Sequence, residues 1–129
     1  MTATAAVLNF NYDELTVIKD FIKREQISTI YVVNDISCNF IEEAINNKKE
    51  FGLYCEKELR MLVQNSNSII EVKNSLETKK EMLAENNVSK QLMYLNSEKI
   101  FHEVSFLKIK IHGMITDKNK SINLKIPNL

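Results

Sequence analysis

The 129 residues hold 17 Lys+Arg and 17 Asp+Glu, with 44% apolar and 26% charged side chains. That is the balance of a soluble globular chain, long enough for one domain over 1–129, and its zero net charge gives no global pull toward nucleic acid or anionic membrane. The only two glycines, Gly52 and Gly113, are far apart, so neither a Walker loop nor a GxGxxG turn can be built.

The first ten residues lack the basic start and long apolar core of a signal peptide. No run reaches the roughly 18 apolar residues of a membrane span. Cys38 and Cys55 have no CxxC companion and read as reduced thiols, so the chain is expected in the cytoplasm.

Residues 3–10 read as a short first strand. Asn11 with Glu14 three residues on is a helix-start signal, and Leu15, Ile18 and Ile22 recur on one side, which predicts an amphipathic helix over 13–25. The run from Ile27 to Val33 is dense in β-branched residues and nearly free of charge. It predicts a central parallel strand buried on both faces. It empties into a polar loop, Asn34-Asp-Ile-Ser-Cys-Asn39, at the strand's C-terminal end, where open α/β sheets place their sites. A short helix is expected over Phe40 to Asn46, and longer ones over 51–64 and 69–83, broken at residues 65–68. The charges of the 69–83 helix read as a solvated face with i, i+4 pairs. Asn86 or Asn87 is expected to cap a further helix carrying Val88, Leu92 and Leu95. Ser97 opens the next, with Ile100, Phe101 and Val104 inward. The period then becomes two. Ile109, Ile111, Gly113 and Ile115 alternate with Lys108, Lys110, His112 and Met114, Asp117 to Lys120 form a turn with Asn119 at positive φ, and Ser121 to Ile126 alternates again. The end is a β-hairpin closed by Pro127.

Two stretches together resemble the β-class carbonic anhydrases. Asn87-Val-Ser-Lys-Gln-Leu-Met-Tyr-Leu95, then Phe101-His-Glu-Val104 and Lys108-Ile-Lys-Ile-His-Gly-Met-Ile-Thr-Asp117, are similar to that family's "ENV..Q...L" helix, a second short helix and its "l.vhGw.yd" strand. Val88, Gln91, Leu95, His112, Gly113 and Asp117 stand at matching places. Thr29-Ile-Tyr-Val-Val-Asn-Asp-Ile-Ser-Cys38 is similar to the strand running into "GHxxCG". The resemblance spans about residues 13–48 and 84–126. It implies an α/β fold of three layers, a small mainly parallel sheet flanked by helices and ending in a C-terminal hairpin.

The resemblance also implies a catalytic Zn²⁺ held by a Cys, a His and a second Cys, the first within CxDxR. No CxDxR occurs in this sequence, Asp35 stands at the place of the ligand histidine, and only Cys38 keeps its position. Asn34 and Asn39 replace the two flanking glycines, and Met114 replaces a tryptophan. A catalytic zinc needs three protein ligands and one open water position. Here Cys38 and Asp35 are the only candidates, so the loop Asn34, Asp35, Ser37, Cys38, Asn39 reads as a vestige. No catalytic residue, metal ligand or cofactor is expected, and the chain reads as a zinc-free binding or scaffold domain. The alternative is an atypical zinc-dependent carbonate dehydratase, or a Cys38-thiol enzyme, with a site rebuilt over Asp35–Cys38. The partner expected is an unidentified protein or small molecule, not nucleic acid or membrane. The resemblance adds a homodimer, through another apolar surface, because the family's N-terminal arms lie outside this sequence.

Other chemistry-bearing residues have plainer readings. His112 shares a strand face with lysines and reads as half-buried or exposed, and His102 as a helix-surface residue. Cys55 reads as a small core residue. Cys38 precedes a helix, where a thiol can become reactive, though an inert thiol is favoured. Glu42/Glu43 and Glu56/Glu58 read as surface charges. Lys108, Lys110, Lys118, Lys120 and Lys125 against Asp117 make a basic tail, read as protection of an edge hairpin rather than a nucleic-acid patch, since no aromatic ladder accompanies it.

Overall fold

In a computed structural model, described over residues 4–47, 51–71, 73–98, 109–118 and 122–126, the first helix begins where its capping residues place it. Asn11 Oδ1 accepts from the Glu14 amide, and the Glu14 carboxylate accepts from the Asn11 amide, both at 2.9 Å. This reciprocal capping box starts α1 (Tyr12–Arg24). The helix ends in a Schellman turn: the Gln26 amide donates to Lys23 O and the Ile27 amide to Ile22 O. Gln26 takes the left-handed conformation there, φ 52°.

The chain then enters β1 (Thr29–Asp35), which pairs in parallel with β2 (Lys110–Asp117). β2 in turn pairs antiparallel with β3 (Ile122–Ile126), giving the order β1-β2-β3. The crossover between the parallel strands carries α2 (Asn39–Ile45), α3 (Tyr54–Gln64), α4 (Asn67–Ile70) and α5 (Leu76–Ser97). The α/β architecture and the terminal hairpin match the sequence reading. α5 packs on β1 and β2. Val88, Leu92 and Leu95 close over Val32, and Ala84 meets Ile36 and Ile115. A second cluster of Val7, Ile41, Cys55, Leu59, Ile69 and Leu83 joins α2, α3, α4 and α5. Each such aliphatic side chain contributes about 1.5–3 kcal/mol by leaving water.

Several expectations fail, each for a visible reason. Residues 3–10 form no strand over their described part. Thr4–Ala6 make a short 3-10 turn with Ala5 and Ala6 left-handed, and the backbone beyond bonds to side chains instead of a neighbouring strand. The Leu8 amide donates to Gln91 Oε1 and the Phe10 amide to the Tyr94 hydroxyl. β1 is not buried on both faces: Val32 is buried, while Tyr31 and Val33 are 48% and 42% exposed. β1 also runs two residues beyond Val33, so Asn34 and Asp35 belong to the strand.

No helix break falls at 84–87: α5 runs unbroken through those residues from Leu76, where Ser75 caps it through the Thr78 amide. Asn87 is not a cap, because its amide is fully buried in mid-helix with three partners. Lys80 on the supposed solvated face is buried and pairs with Glu77 at i, i+3. Ser97 is the last residue of α5 rather than the first of another helix. The helix expected beyond it, His102, Asn119 and Pro127 lie outside the described residues.

Candidate functional site

The loop after β1 is organised by the Asp35 carboxylate. One oxygen accepts from the Ser37 amide at 2.8 Å and from the Ser37 hydroxyl. The other accepts from Thr116 Oγ1 at 2.7 Å and from the Lys118 amide at 2.9 Å. The side chain therefore ties the end of β1 to the end of β2, with the Ile36 amide bonded to Thr116 O alongside. Partial burial pushes the carboxyl upward. The hydrogen bonds from Ser37, Thr116 and Lys118 outweigh it, and the group titrates below its ordinary value.

Asn34 points the other way, toward α5. It is 2% exposed and accepts from Asn87 Nδ2 at 2.9 Å. The same Asn87 amide donates to Ala5 O, and Gln91 Nε2 donates to Asn87 Oδ1. Three buried amides thus hold the N-terminal segment against α5 and β1. Cys38 is the N-cap residue of α2, offers no side-chain cap, and packs against the cluster around Ile41 and Leu59. Asn39 is exposed at the first position of α2. Of the five loop residues, only Asp35 and Ser37 meet through their side chains.

His112 is half-buried on the Tyr31 face of the sheet, its ring 5.5 Å from that of Tyr31. Cys55 is buried as expected, and burial pushes its thiol up, helped by the negative charge of Glu56 beside it. The surface reading of Glu56 and Glu58 is wrong. Glu56 is buried and its carboxylate accepts from the Phe51 and Leu53 amides, capping α3, which explains why that helix starts at Tyr54 rather than 51. Glu58 pairs with Lys90 of α5 across the helix interface.

Sequence reasoning also missed the buried amide network and a cleft of about 410 Å³ between the N-terminal segment and the start of α3. Phe10, Glu14, Tyr54 and Cys55 help line the cleft, and none of residues 34–39 does. The amide network was findable: positions 84, 87, 88, 91, 92 and 95 form one helical stripe, and Asn87 and Gln91 sit inside it.

The loop's donors do not fit a catalytic zinc ion. Both Asp35 oxygens are already engaged by protein donors, and among the described residues no group of three His, Cys, Asp or Glu side chains is placed to hold a metal. Nor is any described helix long and apolar enough to cross a membrane.

No protein-family model and no curated protein sequence matches the chain. Solved structures do. The β-carbonic anhydrase CafA of Aspergillus fumigatus superposes with a TM-score of 0.81 at 20% identity, over 98% of this chain and 62% of that one. The Coccomyxa β-carbonic anhydrase in complex with acetazolamide gives 0.76 at 10% identity, over 98% and 59%. One of two tetrameric β-carbonic anhydrases from Sordaria macrospora gives 0.74 at 15% identity, over 95% and 64%. The fold is that of a β-carbonic anhydrase, and the chain spans about three-fifths of the length of these proteins.

Proposed function

We propose that this chain is a non-catalytic relative of the β-carbonic anhydrases, without a resident zinc ion, acting in the cytoplasm as a binding or scaffold domain. The observation that carries the reading is the saturation of Asp35. At the position where the resembled family has a metal-binding histidine, this carboxylate serves four protein donors and joins two strands. A side chain so engaged has no lone pair directed outward for a cation, and Cys38 alone is one ligand of the three a catalytic zinc requires. The free thiols of Cys38 and Cys55 agree with a reducing compartment.

The test is elemental analysis of protein purified without added metal, together with stopped-flow CO₂ hydration. The expected result is zinc far below one ion per chain and no hydration above the buffer rate. Stoichiometric zinc overturns the reading. Hydration that disappears in Cys38→Ser would instead establish the alternative enzyme.

A further inference from the structure

The cleft between the N-terminal segment and the start of α3 has the size and build of a ligand site. Its volume of about 410 Å³ falls within the roughly 300–1,000 Å³ of small-molecule pockets. Both walls are fixed by hydrogen bonds. Asn87 Nδ2 donates to Ala5 O, the Leu8 amide donates to Gln91 Oε1 and the Phe10 amide to the Tyr94 hydroxyl, so α5 holds the N-terminal wall. Buried Glu56 accepts from the Phe51 and Leu53 amides and sets the chain entering α3 on the other side. These residues all lie among those described, and the walls form without any residue before Thr4. A site shaped beforehand asks little further ordering of a ligand.

The lining selects the kind of molecule. Val7, Phe10, Leu53 and Tyr54 supply aliphatic and aromatic surface, and Leu53 and Tyr54 are about half exposed. A ring laid on them takes that surface out of water and finds aromatic partners. Thr4 and Asn9 add uncharged polar groups. Among the described residues no lysine or arginine lines the cleft, so an oxyanion meets no positive side chain. Glu14 is the one carboxylate there, and the Asn11 amide already engages it at the positive end of α1. That leaves little attraction for a cation. Burial holds the Cys55 thiol in its neutral form. An ion entering this cleft gives up water without gaining a free counter-charge.

We propose that the cleft binds a small neutral aromatic molecule, an aryl ring bearing a hydroxyl or amide, with the ring against Phe10 and Tyr54 and the polar group toward Thr4 and Asn9. The site deepens the binding-domain reading and rests on it, yet it is separable from metal content, because neither Asp35 nor Cys38 lines the cleft.

Three probes that share a phenyl ring and a short arm but differ in charge test it: 2-phenylethanol, phenylacetate and 2-phenylethylammonium. Each is titrated into the isotope-labelled full chain while amide resonances are followed. The expected result is saturable shifts at Val7, Phe10, Leu53 and Tyr54 with 2-phenylethanol, at roughly millimolar concentration. Phenylacetate should bind about tenfold more weakly or not at all, and the ammonium severalfold more weakly. Tyr54→Ala should weaken 2-phenylethanol about tenfold with the circular dichroism spectrum unchanged. Tyr31→Ala, an equally exposed tyrosine outside the cleft, should leave binding intact. Three results overturn the proposal: no shift at those four amides at tens of millimolar probe, binding indifferent to Tyr54→Ala, or either ion binding more tightly than the alcohol. Saturable binding by a chain that proves to hold stoichiometric zinc supports the cleft and overturns only the zinc-free reading. Zinc-free protein that binds no probe overturns the cleft alone.

Discussion

Asp35→Ala separates a strand-joining carboxylate from a metal ligand. The substitution removes the acceptor of four hydrogen bonds, from the Ser37 amide and hydroxyl, Thr116 Oγ1 and the Lys118 amide. A bond to a charged acceptor is worth about 1.5–3 kcal/mol. Water reaches this half-buried site, though, and the two hydroxyls can rotate to it, so the expected net loss is about 2–3 kcal/mol. For a chain of this length that lowers the melting temperature by roughly 6–12 °C. The pH dependence follows from the direction of the shift. The folded carboxyl titrates below its ordinary value, so the charged form is the one folding favours. Its contribution is complete above the unfolded pKa of about 3.9 and is lost as pH falls through the lower folded value. The difference between wild type and Asp35→Ala should be full at pH 7 and pH 5 and shrink below pH 4. Thermal unfolding followed by circular dichroism, with and without EDTA, measures both. A change under about 2 °C at pH 7 refutes the joining role. So does a wild-type melting temperature that EDTA lowers to that of the variant while leaving the variant unmoved, since Asp35 would then act through a metal.

Three other substitutions probe the frame around that loop. Asn87→Ala strips partners from Ala5 O, Asn34 Oδ1 and Gln91 Nε2 in the interior. A loss of about 3 kcal/mol is expected in urea unfolding, with faster exchange of the Leu8 amide as the N-terminal segment loosens. Gln26→Gly relieves a left-handed residue at the Schellman position of α1. It should stabilise by about 0.5–1 kcal/mol in the same assay, because the αL cost of an L-residue exceeds the entropy glycine adds to the unfolded chain. Cys55, buried and with its thiol pushed up, should resist iodoacetamide at pH 8 until the chain unfolds. Cys38→Ser keeps that readout to one thiol, and rapid alkylation of Cys55 in the native protein would contradict its burial.

The elements legible in the sequence are those whose signals are local. The Asn11–Glu14 box fixed the start of α1 to within a residue, and the change to a two-residue period after Ile109 gave β2 its faces. What the sequence hid depends on distant partners. Residues 3–10 read as a strand only weakly, through Thr4, Val7 and Phe10 among alanines, and Gln91, Asn87 and Tyr94, some eighty positions away, take their backbone groups. Asn86 and Asn87 look like helix caps, and only the depth of Asn87 beneath the N-terminal segment makes it an interior residue. Glu56 looks like a surface charge until the chain before α3 folds back over it. The apolar run of β1 promised burial on two sides, but apolar composition does not say what covers each face. α5 covers the Val32 face, while Tyr31 and Val33 on the other face stay about half exposed among the described residues.

The candidate site divides along the same line. Asn87, Val88, Gln91 and Leu95, which carry the resemblance in α5, are fully or nearly buried and hold the N-terminal segment and the sheet. Their pattern therefore tracks the fold, and any chain that keeps this packing has reason to keep it whether or not it binds a metal. Asp35 differs from the resembled pattern, and it is built into the structure just as firmly, through Thr116 and Lys118 of the neighbouring strand and turn. On the reading proposed above, that position is held by its four protein donors and not by the geometry of a metal. That is why the stability of Asp35→Ala, read beside zinc content, reports on function here and not only on folding.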